Sequence, residues 1–364
     1  MQYEYLSCSI RIWLKYLFKI SVLIMDDDND SSAFAIDYRN APALALAHSR
    51  SIAILAAART GLSEAALDCI ETVAVGGSLG RLEASGSADF DCIVVARDDA
   101  CPVALDRDVA RIHDVLASCG LRRPKADGIY RDAITPAALL DQRGLGSLDE
   151  TPTIFGKRMQ FLLDARPVFA PVRFAALRHA ILCWYGSGFF GRDGALSWTY
   201  LLNDVQRYLH AYAGWQQYKL ARTVDDSWEL RQAKFRSSRV VTFAGLLALL
   251  GASNHRVDKI DWLAAHLDAT PLERLGQVMW RHDPAAFDEA LANYEFVHAR
   301  LADAAFRAEL VAGGPDESTG FGAAPSPAFA SIDRTTSALM ELLSGFLIGR
   351  WGHWDKRFFA RLLL

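Results

Sequence analysis

Strand-forming signals in this chain are confined to its first 150 residues, and that asymmetry constrains the fold more than any other feature of the sequence. Thr72-Val73-Ala74-Val75 is a short β-branched run that ends in glycines, and Phe90 to Val95 is a second, so two strands flank the segment Gly76 to Ala88. Gly128 to Ile134 is a candidate third strand, followed by Pro136 opening a short helix. Ahead of the strands, Leu44, Leu46, Ile52, Ile54, Leu55, Leu62 and Leu67 read as helices broken near Thr60-Gly61, and Asp106 to Cys119 is a helix stopped by Gly120. Beyond about Thr151 the strand signals disappear. Helical patterns run through 156–165, 172–185, 196–219, 228–250, 257–267, 271–281 and 284–312. The simplest architecture is α+β, a small mixed-sheet head followed by an all-helical domain.

The chain then divides into an N-terminal extension (1–34), a head (35–150), a helical domain (151–312), a Gly/Pro-rich flexible linker (313–330) and a C-terminal helix and tail (331–364) that docks on the body. With 364 residues, 51% of them hydrophobic and 23% charged, it can bury a sizeable core. A net charge of -4 supplies no general basic field, which disfavours nucleic acid as a partner. The six cysteines form no C-x-x-C pair and have no metal-finger spacing, so they read as buried thiols of a reducing cytoplasm. Ile10 to Ile24 is apolar but carries Arg11, Lys15 and Lys19 on one helical face. That pattern suits an amphipathic basic helix in peripheral contact with a membrane or protein surface; the alternative is that translation starts at Met25. No small-residue cleavage site follows, which argues against secretion.

The informative stretch is Gly76-Gly77-Ser78-Leu79-Gly80-Arg81-Leu82-Glu83 followed by Asp89-Phe90-Asp91. Glycines after a strand let the backbone approach an anion, and the next helical turn offers free N–H groups to phosphate, with Ser78 adding a hydroxyl donor. Arg81 is the cation within the motif. Side chains alternate along a strand, so Asp89 and Asp91 share one face while Phe90 and Cys92 face the core. Two carboxylates so placed can share Mg or Mn with the phosphates of a nucleoside triphosphate, as a catalytic and metal-holding pair. Otherwise the segment is a tight turn with a solvated Asp pair.

This arrangement resembles the polymerase-beta-like nucleotidyltransferase superfamily, and within it the bacterial nucleotidyltransferases related to the uridylyltransferase of nitrogen signalling. The likeness continues at Lys157 to Pro167, Leu202 to Tyr208 and Leu230 to Arg239. It implies transfer of AMP or UMP from a triphosphate to a hydroxyl of a protein or small-molecule acceptor. It also implies a third carboxylate on a later strand, for which Asp127 and Asp132 are the candidates. A chain lacking that third group would be a nucleotide-sensing or interaction module instead.

Other polar clusters are less telling. Lys219 to Arg239 holds six basic residues, of which Arg231, Lys234 and Ser238 share a helical stripe with Arg239 beside it. Facing the cleft, that stripe would place Lys234 on the β- and γ-phosphates; facing away, it is a solvated face or a set of internal ion pairs. Asp204 and Arg207, at helical spacing, are expected to pair. The tryptophans of the helical part, Trp184, Trp198, Trp215, Trp228, Trp262 and Trp280, fall at places suited to core packing.

Overall fold

Three short strands form an antiparallel sheet in the order β2-β1-β3: β1 is Ile70–Gly76, β2 is Asp91–Ala96 and β3 is Arg166–Phe169. The computed structural model describes residues 34–86, 91–122, 130–147, 149–186, 198–222, 228–312 and 325–363. The chain divides into two compact units, Met1–Ala35 and Ile36–Leu364, and the second is described below. The expected division into a mixed head and an all-helical domain ends at β3, because the third strand comes from the stretch expected to be wholly helical. It is four residues long and contains a proline, which suits an edge strand and gives little periodic signal. Of the expected third strand at 128–134, Ile134 forms a parallel bridge to Val95 on the outer edge of β2, and 123–129 lie outside the described residues.

The helices are α1 (Pro42–Glu64), the single turn α2 (Gly77–Gly80), α3 (Pro102–Ser118), α4 (Pro136–Leu139), α5 (Pro152–Leu163) and α6 (Pro171–Gly186). They are followed by α7 (Thr199–Arg222), α8 (Trp228–Lys234), α9 (Val240–Ala252), α10 (Lys259–His266) and α11 (Pro271–His282). Last come α12 (Pro284–Ala302), α13 (Ala304–Ala312), α14 (Pro327–Gly349) and α15 (Lys356–Leu363). A proline opens many of them, where its missing N–H costs nothing.

One face of the sheet is covered by α1 and α3. Leu55 and Leu62 of α1 and Ile112 and Leu116 of α3 pack on Val73, Val75, Cys92 and Val94 in a single buried cluster. Cys92 therefore faces the core, and alternation turns Asp91 to the opposite side. The N-terminus of α1 has no side-chain cap of its own; Glu295 of α12 accepts from Ala43 N and Leu44 N at 2.8 and 2.9 Å. The body is centred on α9, whose residues Val241 to Gly251 are all buried. The helix from Trp228 to Ala252 is apolar and long enough to cross a membrane, but 67% of its apolar window is buried inside the fold, as expected of a core helix.

Several details depart from the sequence reading. The helix expected over 284–312 is two, because Asp303 leaves the helix and its carboxylate accepts from Ala305 N at 2.8 Å. Within the expected linker, α14 already begins at Pro327, its first turn capped by Ser326 and tied to Glu229. Of the cysteines, Cys92 is buried, Cys69, Cys119 and Cys183 are partly so, and Cys101 is exposed; Cys8 lies outside the described residues. Trp184, Trp198 and Trp262 are core residues, whereas Trp280 is 48% exposed. Trp354 of the C-terminal tail lies against Gly251 of α9.

Candidate functional site

Three chain segments meet at one end of the sheet: the C-terminal end of β1, the first residue of β2 and the two residues that lead into β3. Antiparallel pairing dictates this, since Gly76 lies opposite Asp91 and Val75 opposite Arg166. At Gly76 the backbone turns into α2. Gly77 has φ +64°, a conformation that costs glycine little, and a Cβ there would fall within 3.0 Å of Asp91 Oδ2. Gly80 has no room for a Cβ either, with the carbonyls of Asp164 and Val75 pressed against it. The turn closes on itself through Glu83 N to Ser78 O at 2.7 Å, with Leu82 at φ 62°. Ser51, buried in α1, accepts from Ala84 N at 2.9 Å and fixes the way out.

Asp164 is the residue that the sequence reading missed. It is buried, and its Oδ1 lies 3.2 Å from where a Cβ of Gly76 would stand, a point 3.8 Å from the Asp91 Cβ. Asp91 and Asp164 thus flank the same glycine. The carboxylate of Asp164 is held from one side only: Oδ2 accepts from Arg81 Nη1 at 2.8 Å, and Arg239 Nη1 stands 3.7 Å from the same oxygen. Its Oδ1 is buried with no hydrogen-bond partner, and so is the Gln160 Oε1 one helical turn earlier. A buried carboxylate oxygen without a partner is costly unless a cation or donor completes it.

The other expected residues fall as follows. Asp89 lies outside the described residues, as does Asp127. Asp132 is displaced as a third carboxylate: its side chain is 76% exposed beside Arg131, and its carbonyl, not its carboxylate, is used inside the fold, by Lys157. Ser78 is partly buried in the turn. Arg81 is buried and bridges Asp164 and Glu83, each at 2.8 Å. Burial alone would lower its pKa, but the Glu83 and Asp164 carboxylates outweigh that and hold it above the usual arginine range.

The basic helix has an irregularity that 3.6-residue periodicity cannot reveal. Residues Phe235–Arg239 form a π-helical turn between α8 and α9. Backbone carbonyls loosened there are taken up by hydroxyls, Ser237 Oγ to Ala233 O at 2.6 Å and Ser238 Oγ to Lys234 O at 3.2 Å. The wider turn carries Arg239 toward Asp164, with its guanidinium 5.4 Å from the Tyr212 ring centre, while Lys234 is exposed and Arg236 pairs with Asp333. Tyr130 and Tyr208 complete the neighbourhood. Burial comes first in raising the pKa of both, and both feel the charges of Asp91, Asp164 and Arg239. The Tyr130 hydroxyl accepts from Gln160 Nε2.

Asp204 and Arg207 pair as their spacing predicts, at 3.4 Å, in a network with Tyr185, Glu150 and Arg158. A signal for Asp164 did exist in the sequence. Asp164, Arg166 and Val168 alternate after the apolar run Phe161-Leu162-Leu163, but three alternating positions are too few to outweigh a preceding helix. Among the described residues no group of three or more His, Cys, Asp or Glu side chains is arranged to hold a metal ion. The two carboxylates and the unpartnered Oδ1 nevertheless fit a hard divalent cation, whose oxygen ligands include carboxylates and waters. No family model and no curated protein sequence matches the chain.

Proposed function

We propose that this chain is a metal-dependent nucleotidyltransferase of the polymerase-beta-like type, transferring AMP or UMP from a nucleoside triphosphate to a hydroxyl of a protein or small-molecule acceptor in the cytoplasm. The observation that carries the reading is the convergence of Asp91 and Asp164 on Gly76, with one Asp164 oxygen buried and unpartnered beside a glycine turn. When bound, Mg or Mn would orient the attacking oxygen and neutralise charge on the α-phosphate. Asp91, Asp164 and Asp89 would hold it.

The chain's own residues do the rest. Gly76 and Gly77 let the turn approach a phosphate without a Cβ, and Ser78 supplies N–H and hydroxyl donors. Arg81 orients Asp164 through Oδ2 and leaves Oδ1 for the cation. Arg239, one ion pair away, supplies positive charge for the β- and γ-phosphates, with Lys234 further along the same helix. Positioning and fixed charge account for most of the acceleration in such a site.

The test is incubation of the full chain with each α-labelled triphosphate, Mg or Mn, and a cell lysate. Label should move to an acceptor with one base preferred, and Asp91→Asn and Asp164→Asn should each abolish transfer while folding normally. A second reading, a nucleotide-sensing module without turnover, is favoured by the two arginines that already neutralise Asp164 Oδ2. Metal-dependent triphosphate binding with no transfer to any acceptor would select it, and absence of binding would sink both.

A further inference from the structure

Beside Asp164, which forms part of its wall, lies a small solvent-open pocket bounded also by Gly80, Arg166, Arg178, Asp268, Pro271 and Arg274. Its charge is unbalanced in an unusual way. Arg178 and Arg274 are almost fully buried, and most of their hydrogen bonds go to neutral carbonyl oxygens. Arg274 donates to Leu162 O, Leu163 O, Leu267 O and Ala269 O at 2.6 to 2.9 Å. Arg178 donates to Leu267 O and Ala264 O and meets one carboxylate, that of Asp268, which is 77% exposed. Arg166 uses only Nε, on Gly80 O at 2.7 Å, and among the described residues its two Nη groups have no partner. A fourth guanidinium, Arg59, sits on Pro167 O at the same strand edge.

Carbonyls satisfy the N–H groups but do not cancel the charge. Burial, and then repulsion from Arg178 and Arg166, pulls the Arg274 guanidinium well below its usual pKa. Two further carboxylates offset part of this charge: Glu273, hydrogen-bonded in the capping box with Thr270, acts on Arg166, and Asp164, whose Oδ2 is taken by Arg81, acts on Arg274. The start of α11 at Pro271 adds the positive end of a twelve-residue helix. We propose that this pocket is a second anion site, next to the Asp91–Asp164 end of the sheet and sharing Asp164 as a wall, that binds a phosphate group through the free Nη groups of Arg166. Planar guanidinium donors fit phosphate oxygens in pairs, and Arg178 and Arg274 supply the charge that holds a dianion there. The cavity takes orthophosphate or the phosphate of a small monoester.

The experiment is calorimetric titration of the full chain with inorganic phosphate and, separately, glycerol phosphate, without divalent metal and at low ionic strength, with chloride as the control anion. Saturable binding of either ligand is expected, the tighter of the two naming the form the site takes. Arg166→Gln should weaken it at least about tenfold, the worth of a charge-assisted contact. Asp268→Asn, which removes an exposed competing carboxylate, should tighten it severalfold. Asp91→Asn should bind phosphate as the wild type does, even where it has lost metal-dependent triphosphate binding. No saturable binding of either ligand, an unchanged affinity in Arg166→Gln, or loss of phosphate binding in Asp91→Asn would overturn the proposal. None of these outcomes depends on whether nucleotidyl transfer occurs.

Discussion

Asp164 separates two groups of arginines that are held in opposite ways. In front of it, Arg81 and Arg239 face carboxylates, those of Glu83 and Asp164. Behind it, Arg166, Arg178 and Arg274 face mainly carbonyl oxygens. A guanidinium paired with a carboxylate can exchange that partner for a phosphate at modest cost, because one anion replaces another. A guanidinium that caps carbonyls inside the fold cannot leave without orphaning them. The front pair is therefore suited to chemistry and the back group to architecture, with Arg166 keeping both Nη groups to spare.

Removing the most enclosed member of the back group should give the largest effect. Arg274→Met would orphan the carbonyls of Leu162 and Leu163, which end α5 directly before Asp164, together with those of Leu267 and Ala269. A loss of about 4 kcal/mol in urea unfolding is expected. A loss under about 1 kcal/mol would mean that water replaces the guanidinium easily and that the front-back contrast is overstated.

In the front pair, Arg239→Gln should leave stability nearly unchanged and weaken triphosphate binding about ten- to hundredfold, with a much smaller effect on a monophosphate. Lys234→Ala, exposed and further along the helix, should do the same to a lesser degree, and its effect should fade as salt is raised. A larger effect from Lys234 than from Arg239 would reverse their assigned roles.

A pH-dependent effect concerns a lysine that follows the back-group pattern. Lys157 is fully buried, and its ammonium donates to the Asp132 carbonyl. Burial comes first in lowering its pKa, from 10.5 to about 8, against weaker opposing contributions from Cys92 and Asp132. Between those values the unfolded chain binds the proton that the folded chain has released, so folding stability rises with pH. Below about pH 8 the penalty of burying the charge is fully present, and above 10.5 it is gone. Relative to Lys157→Met, the wild type should therefore gain stability between pH 8 and 10.5. A difference that stays flat across that window would show that Lys157 keeps its charge.

The legible parts of this molecule are those decided by near neighbours in sequence. Glycines after a β-branched run, and an aspartate opposite them in an antiparallel pair, need no knowledge of the rest of the chain, and Gly76, Gly77 and Asp91 lie together as that reading expects. The fold class was legible for the same reason, since helix and strand periods differ. The strand β3 was not, because four residues including a proline carry almost no period and are a strand only through pairing with β1. Arg239 was legible as a basic residue beside the Lys234 stripe, but its approach to Asp164 was not, since one π-helical turn shifts every later side chain around the axis. Trp280 and Cys101 show the one-way nature of hydrophobic rules, under which an exposed apolar residue is ordinary.

The sheet order gives the molecule a history as well as a shape. During synthesis from the N-terminus, β1 and β2 can pair as soon as both have left the ribosome, with Asp91 already beside the glycine turn. The edge position of β3 stays vacant until Asp164 and Arg166 follow, and the carbonyls that end α5 wait longer still for Arg274. A nascent chain thus carries half of the acidic pair well before the other half can join it. Under the proposed function, activity would await completion of the body, and a prematurely terminated product would hold the recognisable motif and be inert.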